Sequence, residues 1–213
     1  MLPSEIFTGI SMKTTDALGY TLRAELFFVS EPESQTFVKG QIWAENFVPR
    51  AHWEARLPLG IDNFHHPAGT GVIGHHTHWD RCYDMIDCIK EVKKVQDYHM
   101  DGNGWWDIGY NFLIGEDGRI YEGRGFHIQG AHCSGWNTQT LGFTIMGSFI
   151  SDLPNERALN AAKQLMAEME KRNFIDERCW SFFGHRDKGS TTCPGDRLYE
   201  EFKGWKNFHR ECY

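Results

Sequence analysis

The sequence lacks the features that mark a membrane protein or a repeat protein. No run of about 18 apolar residues occurs among its 213 residues, so we expect no membrane-spanning helix. Internal repeats and low-complexity segments are absent as well. No basic start followed by an apolar stretch opens the chain, so either a secretory signal peptide has been removed or the protein is not secreted by that route.

An excess of basic residues is also missing. Asp and Glu number 29 against 22 Lys and Arg, and the formal net charge is −7. This balance argues against nucleic acid as a partner and gives no long-range attraction to anionic polymers. Recognition of such a polymer would therefore require a local groove. The 40% of hydrophobic residues and 8 tryptophans suffice for one core, and the length favours one domain with an N-terminal extension.

The N-terminal segment predicts a β-hairpin. Residues 20–29 alternate apolar and polar side chains, which is the period of a half-buried strand. Residues 36–43 form a candidate second strand, joined to the first by a polar connection. The sequence does not indicate what this hairpin does.

The remaining chain alternates between helix and strand patterns. Residues 84–99 predict an amphipathic helix, with apolar positions at mostly three-residue steps: Ile86, Ile89, Val92 and Val95. Ser151, Asp152 and Pro154 are predicted to open a second helix. The core-facing residues of that helix are Leu159, Ala162, Leu165, Met166 and Met169. A last helix is predicted at 196–203, and strands are predicted at 111–114, 119–123 and 140–146. This alternation favours an α/β domain with a central sheet.

Two histidines and a cysteine are the candidate metal ligands. His75 and His185 each follow a short apolar run typical of a buried strand, and Cys193 follows His185 after a loop. Imidazole nitrogens and one thiolate suit Zn²⁺, and three protein ligands leave a fourth position for water, as in a catalytic site. Taken singly, each residue is more often a core or surface histidine, or a small buried thiol. Two strand ends and one loop can bring these two histidines and the cysteine together.

These residues lie in motifs that resemble the peptidoglycan recognition proteins, which share their fold with phage-type zinc N-acetylmuramoyl-L-alanine amidases. The matching segments occur in the family's order, at residues 50–56, 74–77, 104–114, 118–125, 130–132, 184–187 and 191–195. The resemblance covers residues 48 to about 208, so we divide the chain into an extension of unknown role at 1–47 and the recognition or amidase domain at 48–213. It implies a central mixed sheet flanked by helices, with a cleft at one edge.

The resemblance also implies roles at the reacting centre. It makes His75, His185 and Cys193 the zinc ligands. Tyr110 matches the tyrosine that catalytic members place beside the zinc, although a strand aromatic without catalytic role is the alternative. Thr191 matches a position that is lysine in phage-type members and threonine in animal amidases; it would position water or substrate, or else cap the loop.

Further residues are assigned to substrate binding by the same resemblance. Gly104, Trp105 and Arg124 match the pattern of members that prefer peptidoglycan with meso-diaminopimelate. An arginine fork can hold the extra carboxylate of that residue, although Arg124 can also be a solvated charge at a hairpin end. His132 is expected in the cleft wall. His76 is expected to pack beside the ligands, since neighbours on a strand face opposite sides.

One departure from the family pattern concerns the cleft wall. Trp106 stands where many animal members have cysteine, so the local disulfide is absent and the shape of the wall can differ. The remaining histidines are interpreted as surface or structural residues: His52, His65, His66, His78, His99, His127 and His209.

The other cysteines indicate whether the protein works in an oxidising compartment. The family has a cysteine pair at the spacing of Cys82 and Cys88, which implies a disulfide there; two free thiols are the alternative. We also pair Cys179 with Cys212, which leaves Cys133, although connectivity cannot be derived from sequence. Disulfides imply an oxidising compartment, so we expect a secreted protein.

Two functions fit this family. The first is a zinc amidase that cleaves the bond between N-acetylmuramic acid and L-alanine, in innate immunity or symbiont handling. The second is a non-catalytic receptor for the same glycopeptide, since one fold carries both kinds of member. The presence of Cys193 and Tyr110 favours the enzyme, because non-catalytic members often replace the ligand cysteine. We expect a monomer whose partners are bacterial peptidoglycan and muropeptides.

Overall fold

A computed structural model describes residues 11–15, 21–25, 45–64, 70–176 and 178–211. The chain divides into two compact units, Met1–Val38 and Lys39–Tyr213. In the described residues no helix is both long enough and apolar enough to cross a membrane.

The first unit contains a two-stranded antiparallel hairpin. Strand β1 (Ser11–Thr15) pairs with strand β2 (Thr21–Glu25), with Lys13 opposite Arg23. The predicted strand at 20–29 is therefore present over a shorter range, and its partner precedes it in the chain. The strand predicted at 36–43 lies outside the described residues.

The second unit is built on a six-stranded mixed sheet with the order β3-β6-β5-β7-β4-β8. Its strands are β3 (Phe47–Val48), β4 (Gly71–His76), β5 (Phe112–Ile114), β6 (Ile120–Glu122), β7 (Thr140–Ile145) and β8 (Ser181–Gly184). Strands β5 and β6 are antiparallel, whereas β5, β7, β4 and β8 run parallel. Helices flank this sheet, which confirms the predicted fold class.

The α-helices that lie wholly within the described residues are α1 (Met85–Asp97), α2 (Glu156–Lys171) and α3 (Asp196–Phe202). The side chain of Asp84 caps α1 by accepting from the amide of Asp87. A π-helical turn, Tyr98–Gly102, follows α1, and 3₁₀ turns occur at Arg50–Trp53 and His185–Asp187.

The second helix begins later than predicted. Asn155 is its N-cap, and its side-chain oxygen accepts from the amide of Ala158 at 3.0 Å. Pro154 thus lies before the cap, so the prediction that residues 151–154 open the helix was wrong by one turn. The predicted inner face is confirmed, because its five apolar residues are all buried: Leu159, Ala162, Leu165, Met166 and Met169.

The predicted inner face of α1 was wrong in part. Val92 and Val95 are buried, but Ile86 is 71% exposed. Three-residue steps fall short of the 3.6 residues of a helical turn, so a row at that spacing drifts around the helix. The buried row instead runs through Cys88, Val92, Val95 and Gln96.

The two faces of the sheet carry separate apolar cores. Val72 and Phe143 face α2 and α3, and the glycine at 74 makes room there for Phe202. Leu113 and Met146 face α1. Side chains alternate between the faces along a strand. His75, in register with Thr144 and Leu113, therefore points to the α1 face.

The cysteines are distributed much as predicted. Cys82 and Cys88 form a disulfide that ties the segment before α1 to its first turn, as the resemblance implied. Cys133 and Cys193 are free and buried. Cys179 is disulfide-bonded. Its predicted partner, Cys212, lies outside the described residues, so that pairing stays a prediction.

Candidate functional site

Three chain segments bring the candidate metal ligands together. His75 lies near the end of β4, and His185 directly follows β8, the parallel neighbour of β4. The loop that carries Cys193 is held to this edge because the amide of Arg186 donates to the carbonyl of Cys193 at 2.9 Å. One candidate ligand atom from each of these residues lies within 4.8 Å of the other two.

The spacing of these atoms fits a tetrahedral zinc site. Sγ of Cys193 lies 3.8 Å from Nδ1 of His75. Tetrahedral Zn²⁺ with bonds of about 2.0 Å to nitrogen and 2.3 Å to sulfur would place two such ligands about 3.5 Å apart. The rings of His75 and His185 are 4.4 Å apart between centroids. Within the described ranges, no other group of three or more His, Cys, Asp and Glu side chains is placed to hold a metal ion.

His75 and Cys193 are buried, His185 is half-buried, and the cluster carries no charge of its own. Burial, together with neighbouring His132 and His185, holds the pKa of His75 well below its usual value. Burial also lowers the pKa of His185 and raises the pKa of the Cys193 thiol to about 12. A neutral imidazole can ligate a metal directly, whereas the thiol would have to give up its proton on binding.

His76 points away from the ligand cluster. Its Nδ1 accepts from the amide of Phe149 at 3.3 Å, and burial, aided by His78, lowers its pKa to about 4. The main chain of His76 nevertheless contributes to the site, because its amide donates to Sγ of Cys193 at 3.4 Å. The side chain thus packs on the far side of the strand from His75, while the amide supports the sulfur.

Tyr110 and Thr191 lie at the rim of the cluster. The ring of half-buried Tyr110 is 5.3 Å from that of His75, and burial raises the pKa of its hydroxyl above the usual value. Thr191 is exposed, and its Oγ1 accepts from the amide of Cys193 at 3.1 Å. Its hydroxyl therefore braces the loop that carries the sulfur, which is the structural contact expected of a loop-capping threonine.

Gly104, Trp105 and Arg124, which we call the wall, lie near Tyr110 in the following sense. The ring of Trp105 packs on His99, whose ring is 5.5 Å from that of Tyr110, and the amide of Arg124 donates to the carbonyl of Tyr110 at 3.0 Å. Gly104 has φ +69 and nothing within 4 Å of where a Cβ would be, so the backbone conformation, and not crowding, favours glycine there. Trp105, 37% exposed, packs its ring 4.7 Å from that of His99. The guanidinium of Arg124 donates from Nε to Ile108 O at 2.7 Å and from Nη1 to Gln129 O at 2.8 Å. Arg124 is half-buried and is therefore not a freely solvated charge.

Two structural contacts of this site were not anticipated. His99 is buried, and its Nδ1 accepts from the amide of Gly109 at 3.0 Å, next to Tyr110 in the chain. Its position four residues after Val95, where the π-helical turn continues the buried row of α1, was a signal in the sequence. His132 is 7% exposed, and its Nδ1 lies 3.1 Å from Nε2 of His75. No sequence pattern links these two histidines, which lie 57 residues apart.

The chain matches the family described as N-acetylmuramoyl-L-alanine amidase over residues 66–196. Peptidoglycan-recognition protein LB of Drosophila melanogaster is 37% identical over 193 residues, covering 90% of this chain and 82% of that protein. Peptidoglycan recognition protein 1 of Mus musculus is 40% identical over 162 residues, covering 76% of this chain and 88% of that protein.

Solved structures of such proteins superpose on about three quarters of the chain. Wild-type Drosophila PGRP-LB is 39% identical with a TM-score of 0.74, covering 76% of this chain and 95% of that chain. The complex of peptidoglycan recognition protein-LE with tracheal cytotoxin, a monomeric diaminopimelic acid-type peptidoglycan, is 34% identical with a TM-score of 0.74. That superposition covers 77% of this chain and 96% of that chain.

Proposed function

Since the chain belongs to the peptidoglycan recognition protein family, we propose that it binds bacterial peptidoglycan and hydrolyses the amide between N-acetylmuramic acid and L-alanine. The observation that carries this proposal is the convergence of His75, His185 and Cys193 beside Tyr110. A receptor that only binds the glycopeptide needs a groove, but it has no use for an open set of three metal ligands.

The proposed cofactor is zinc, held by His75, His185 and Cys193. Bound zinc would polarise the substrate carbonyl and lower the pKa of a water to about 7. The protein's part is to present two neutral imidazoles and one thiol at fixed spacing. The hydrogen bond from the His76 amide supports the sulfur as it loses its proton.

Tyr110 is proposed to stabilise the negative charge that develops on the carbonyl oxygen during hydrolysis. Because burial raises the pKa of its hydroxyl, the group stays protonated at neutral pH and can donate. A preorganised donor to such an oxyanion is worth roughly 3 kcal/mol of transition-state stabilisation. Thr191 is proposed to keep the Cys193 loop in position, through the hydrogen bond to the Cys193 amide.

The peptide stem is proposed to bind along the wall of Gly104, Trp105 and Arg124, beside His132. The side chain of His76 faces Phe149 on the other side of the strand, so it is not part of the proposed binding site. Within the described part of the chain, Nη2 of Arg124 has no hydrogen-bond acceptor, whereas Nε and Nη1 are engaged. A carboxylate at the third stem residue can accept from that group. We therefore propose a preference for meso-diaminopimelate stems, such as the ligand of the related protein-LE complex.

The setting proposed for this activity is extracellular, in innate immunity or symbiont handling. The Cys82–Cys88 disulfide supports an oxidising compartment. The alternative is a non-catalytic receptor, since the same fold serves both kinds of protein.

One experiment separates the two functions. The zinc-loaded protein is incubated with defined muropeptides, and the products are identified by mass. Release of the free stem peptide, abolished by a chelator, supports the amidase. Retention of the intact muropeptide by zinc-loaded protein, with no product at long incubation, would leave only the receptor function.

A further inference from the structure

The ring of His132 is fixed between His75 and a backbone carbonyl. Its Nδ1 lies 3.1 Å from Nε2 of His75, and its Nε2 lies 3.3 Å from the carbonyl oxygen of Thr140. Both ring nitrogens are thus within hydrogen-bonding distance of groups inside the fold. A ligand in the cleft could bond to either nitrogen only by displacing one of these partners.

The carbonyl sets the direction of both hydrogen bonds. An oxygen of a carbonyl only accepts, so Nε2 of His132 must carry the proton. In the neutral imidazole, Nδ1 of His132 is then an acceptor, and the nitrogen facing it, Nε2 of His75, must be a donor. His75 is left with its lone pair on Nδ1, and that atom faces Sγ of Cys193 at 3.8 Å.

The surroundings hold the His132 ring in this orientation. A Cβ added at Gly142 would lie 2.4 Å from the ring, so the ring rests directly on the backbone of β7. A Cβ at Gly130 would come within 2.5 Å of it. The side-chain oxygen of Asn137 accepts from the amides of His132 and Cys133, both at 2.9 Å, which fixes the main chain that carries the ring.

We propose that His132 is a positioning residue that fixes the tautomer and the ring orientation of His75, so that Nδ1 of His75 is the metal-binding atom. In metal sites, the second nitrogen of a ligating histidine commonly donates to a carbonyl or carboxylate. Here a second histidine is inserted, and the final acceptor is the Thr140 carbonyl. The inference rests on the proposed function only in taking zinc as the metal.

The tautomers can be tested without any metal. In chelated protein with ¹⁵N-labelled histidine at neutral pH, long-range ¹H–¹⁵N correlations distinguish protonated from unprotonated ring nitrogens. We expect His75 and His132 both to be protonated at Nε2. A proton on Nδ1 of His75 would overturn the proposal.

A matched pair of variants tests the consequence for metal binding. Asn and Leu have nearly the same shape and both remove the ring, but His132→Asn keeps an acceptor near the position of Nδ1. We expect the zinc dissociation constant to rise at least tenfold in His132→Leu and clearly less in His132→Asn. In chelated His132→Leu, the His75 resonances should also show a mixture of tautomers. Equal zinc affinity in the two variants would show that only packing of the ring matters.

These readouts separate this inference from the proposed function. If the unaltered protein binds zinc but releases no stem peptide, the amidase proposal fails while the tautomer and affinity results still decide the role of His132. If His132→Leu does not fold, two measurements remain. They are the tautomers of the unaltered protein and the zinc affinity of His132→Asn relative to the unaltered protein. A tenfold or larger loss of affinity in His132→Asn would contradict the role assigned to the acceptor.

Discussion

The backbone amide of His76 donates to the sulfur of Cys193 at 3.4 Å, across 117 residues of sequence. The strand that carries His75 therefore also holds the sulfur in place. A hydrogen bond from an N–H strengthens when the acceptor becomes an anion, so this contact favours the thiolate that a metal ion requires. The ligand set is consequently tied together by the sheet even before a metal binds.

Removal of the sulfur should abolish metal binding. We expect the unaltered protein to hold about one zinc per chain, because three protein ligands define one open site. In Cys193→Ser that zinc should be lost, as it should on exhaustive chelation. Metal analysis of protein purified without chelator measures the zinc content, and the same analysis of Cys193→Ser and of chelated protein measures its loss.

The matched control for this experiment is Cys133→Ser. Cys133 is also a free, buried thiol, but it does not belong to the ligand cluster. The zinc content of the Cys133→Ser variant should equal that of the unaltered protein. Absence of zinc from the unaltered protein would contradict the catalytic proposal, while binding of peptidoglycan can survive zinc loss because the wall is built from other residues.

The hydroxyl of Tyr110 should matter for turnover and not for metal binding. Tyr110→Phe leaves the ring to pack 5.3 Å from that of His75 and removes one donor. We expect the turnover number to fall tenfold or more with zinc content unchanged. Tyr83→Phe, which removes the hydroxyl of an exposed tyrosine, is the control and should leave turnover unchanged. Full activity of Tyr110→Phe would make Tyr110 a packing residue only.

Local sequence patterns predicted the elements of this fold better than their contacts. Strand β4 follows from a short apolar run, and the inner face of α2 follows from apolar residues repeated at helical spacing. The start of α2 at Asn155 and the exposure of Ile86 depend on cap geometry and helical drift. The metal cluster was predicted from the ligand types at two strand ends and a loop, and then through a resemblance to a family. The contact between His75 and His132 depends on how β4, β7 and the loop before β7 pack, and no local pattern encodes it.

Acid should destabilise the fold partly through His99. Burial, aided by the nearby charge of Arg124 and opposed by Asp107, lowers the pKa of His99 from 6.5 to about 4. Between these two values the unfolded chain binds a proton that the folded chain excludes, so the free energy of unfolding falls as the pH falls. For His99 the loss between pH 7 and pH 5 is about 2 kcal/mol.

The measurement compares the unaltered protein with His99→Asn, both chelated, by urea unfolding at pH 7 and pH 5. The side-chain oxygen of Asn lies near the position of Nδ1 and can still accept from the amide of Gly109, but Asn does not titrate. The loss of stability between the two pH values should be smaller in the variant by about 2 kcal/mol. The other buried histidines titrate equally in both proteins and cancel. An identical loss in both would show that His99 is not protonated selectively in the unfolded chain.

Arg124 is tethered to the backbone more firmly than a surface charge would be. Its Nε and Nη1 donate to the carbonyls of Ile108 and Gln129, and these bonds hold the guanidinium in one plane. A ligand carboxylate would thus meet a preorganised donor. The same bonds mean that truncating the side chain also removes two tethers of the wall, which the test of specificity has to take into account.

Diaminopimelate and lysine stems differ by one carboxylate at the third residue, so a preference between them reports on Arg124. A hydrogen bond to a charged group contributes roughly 1.5 to 3 kcal/mol, which corresponds to a preference of about tenfold to a hundredfold. Arg124→Ala should erase most of that preference, measured as the ratio of dissociation constants for the two stems, and should leave zinc content and lysine-type binding unchanged. Arg124→Lys keeps the charge without the planar fork and should give an intermediate ratio. If Arg124→Ala weakens binding of both stems equally, the bonds of Arg124 to Ile108 and Gln129 shape the wall and do not select the stem.

A second outcome concerns the unaltered protein. If it binds both stems with equal affinity, the wall of Gly104, Trp105 and Arg124 does not discriminate between them. Trp106, which stands where many animal members of the family have cysteine, would then account for a wall of different shape.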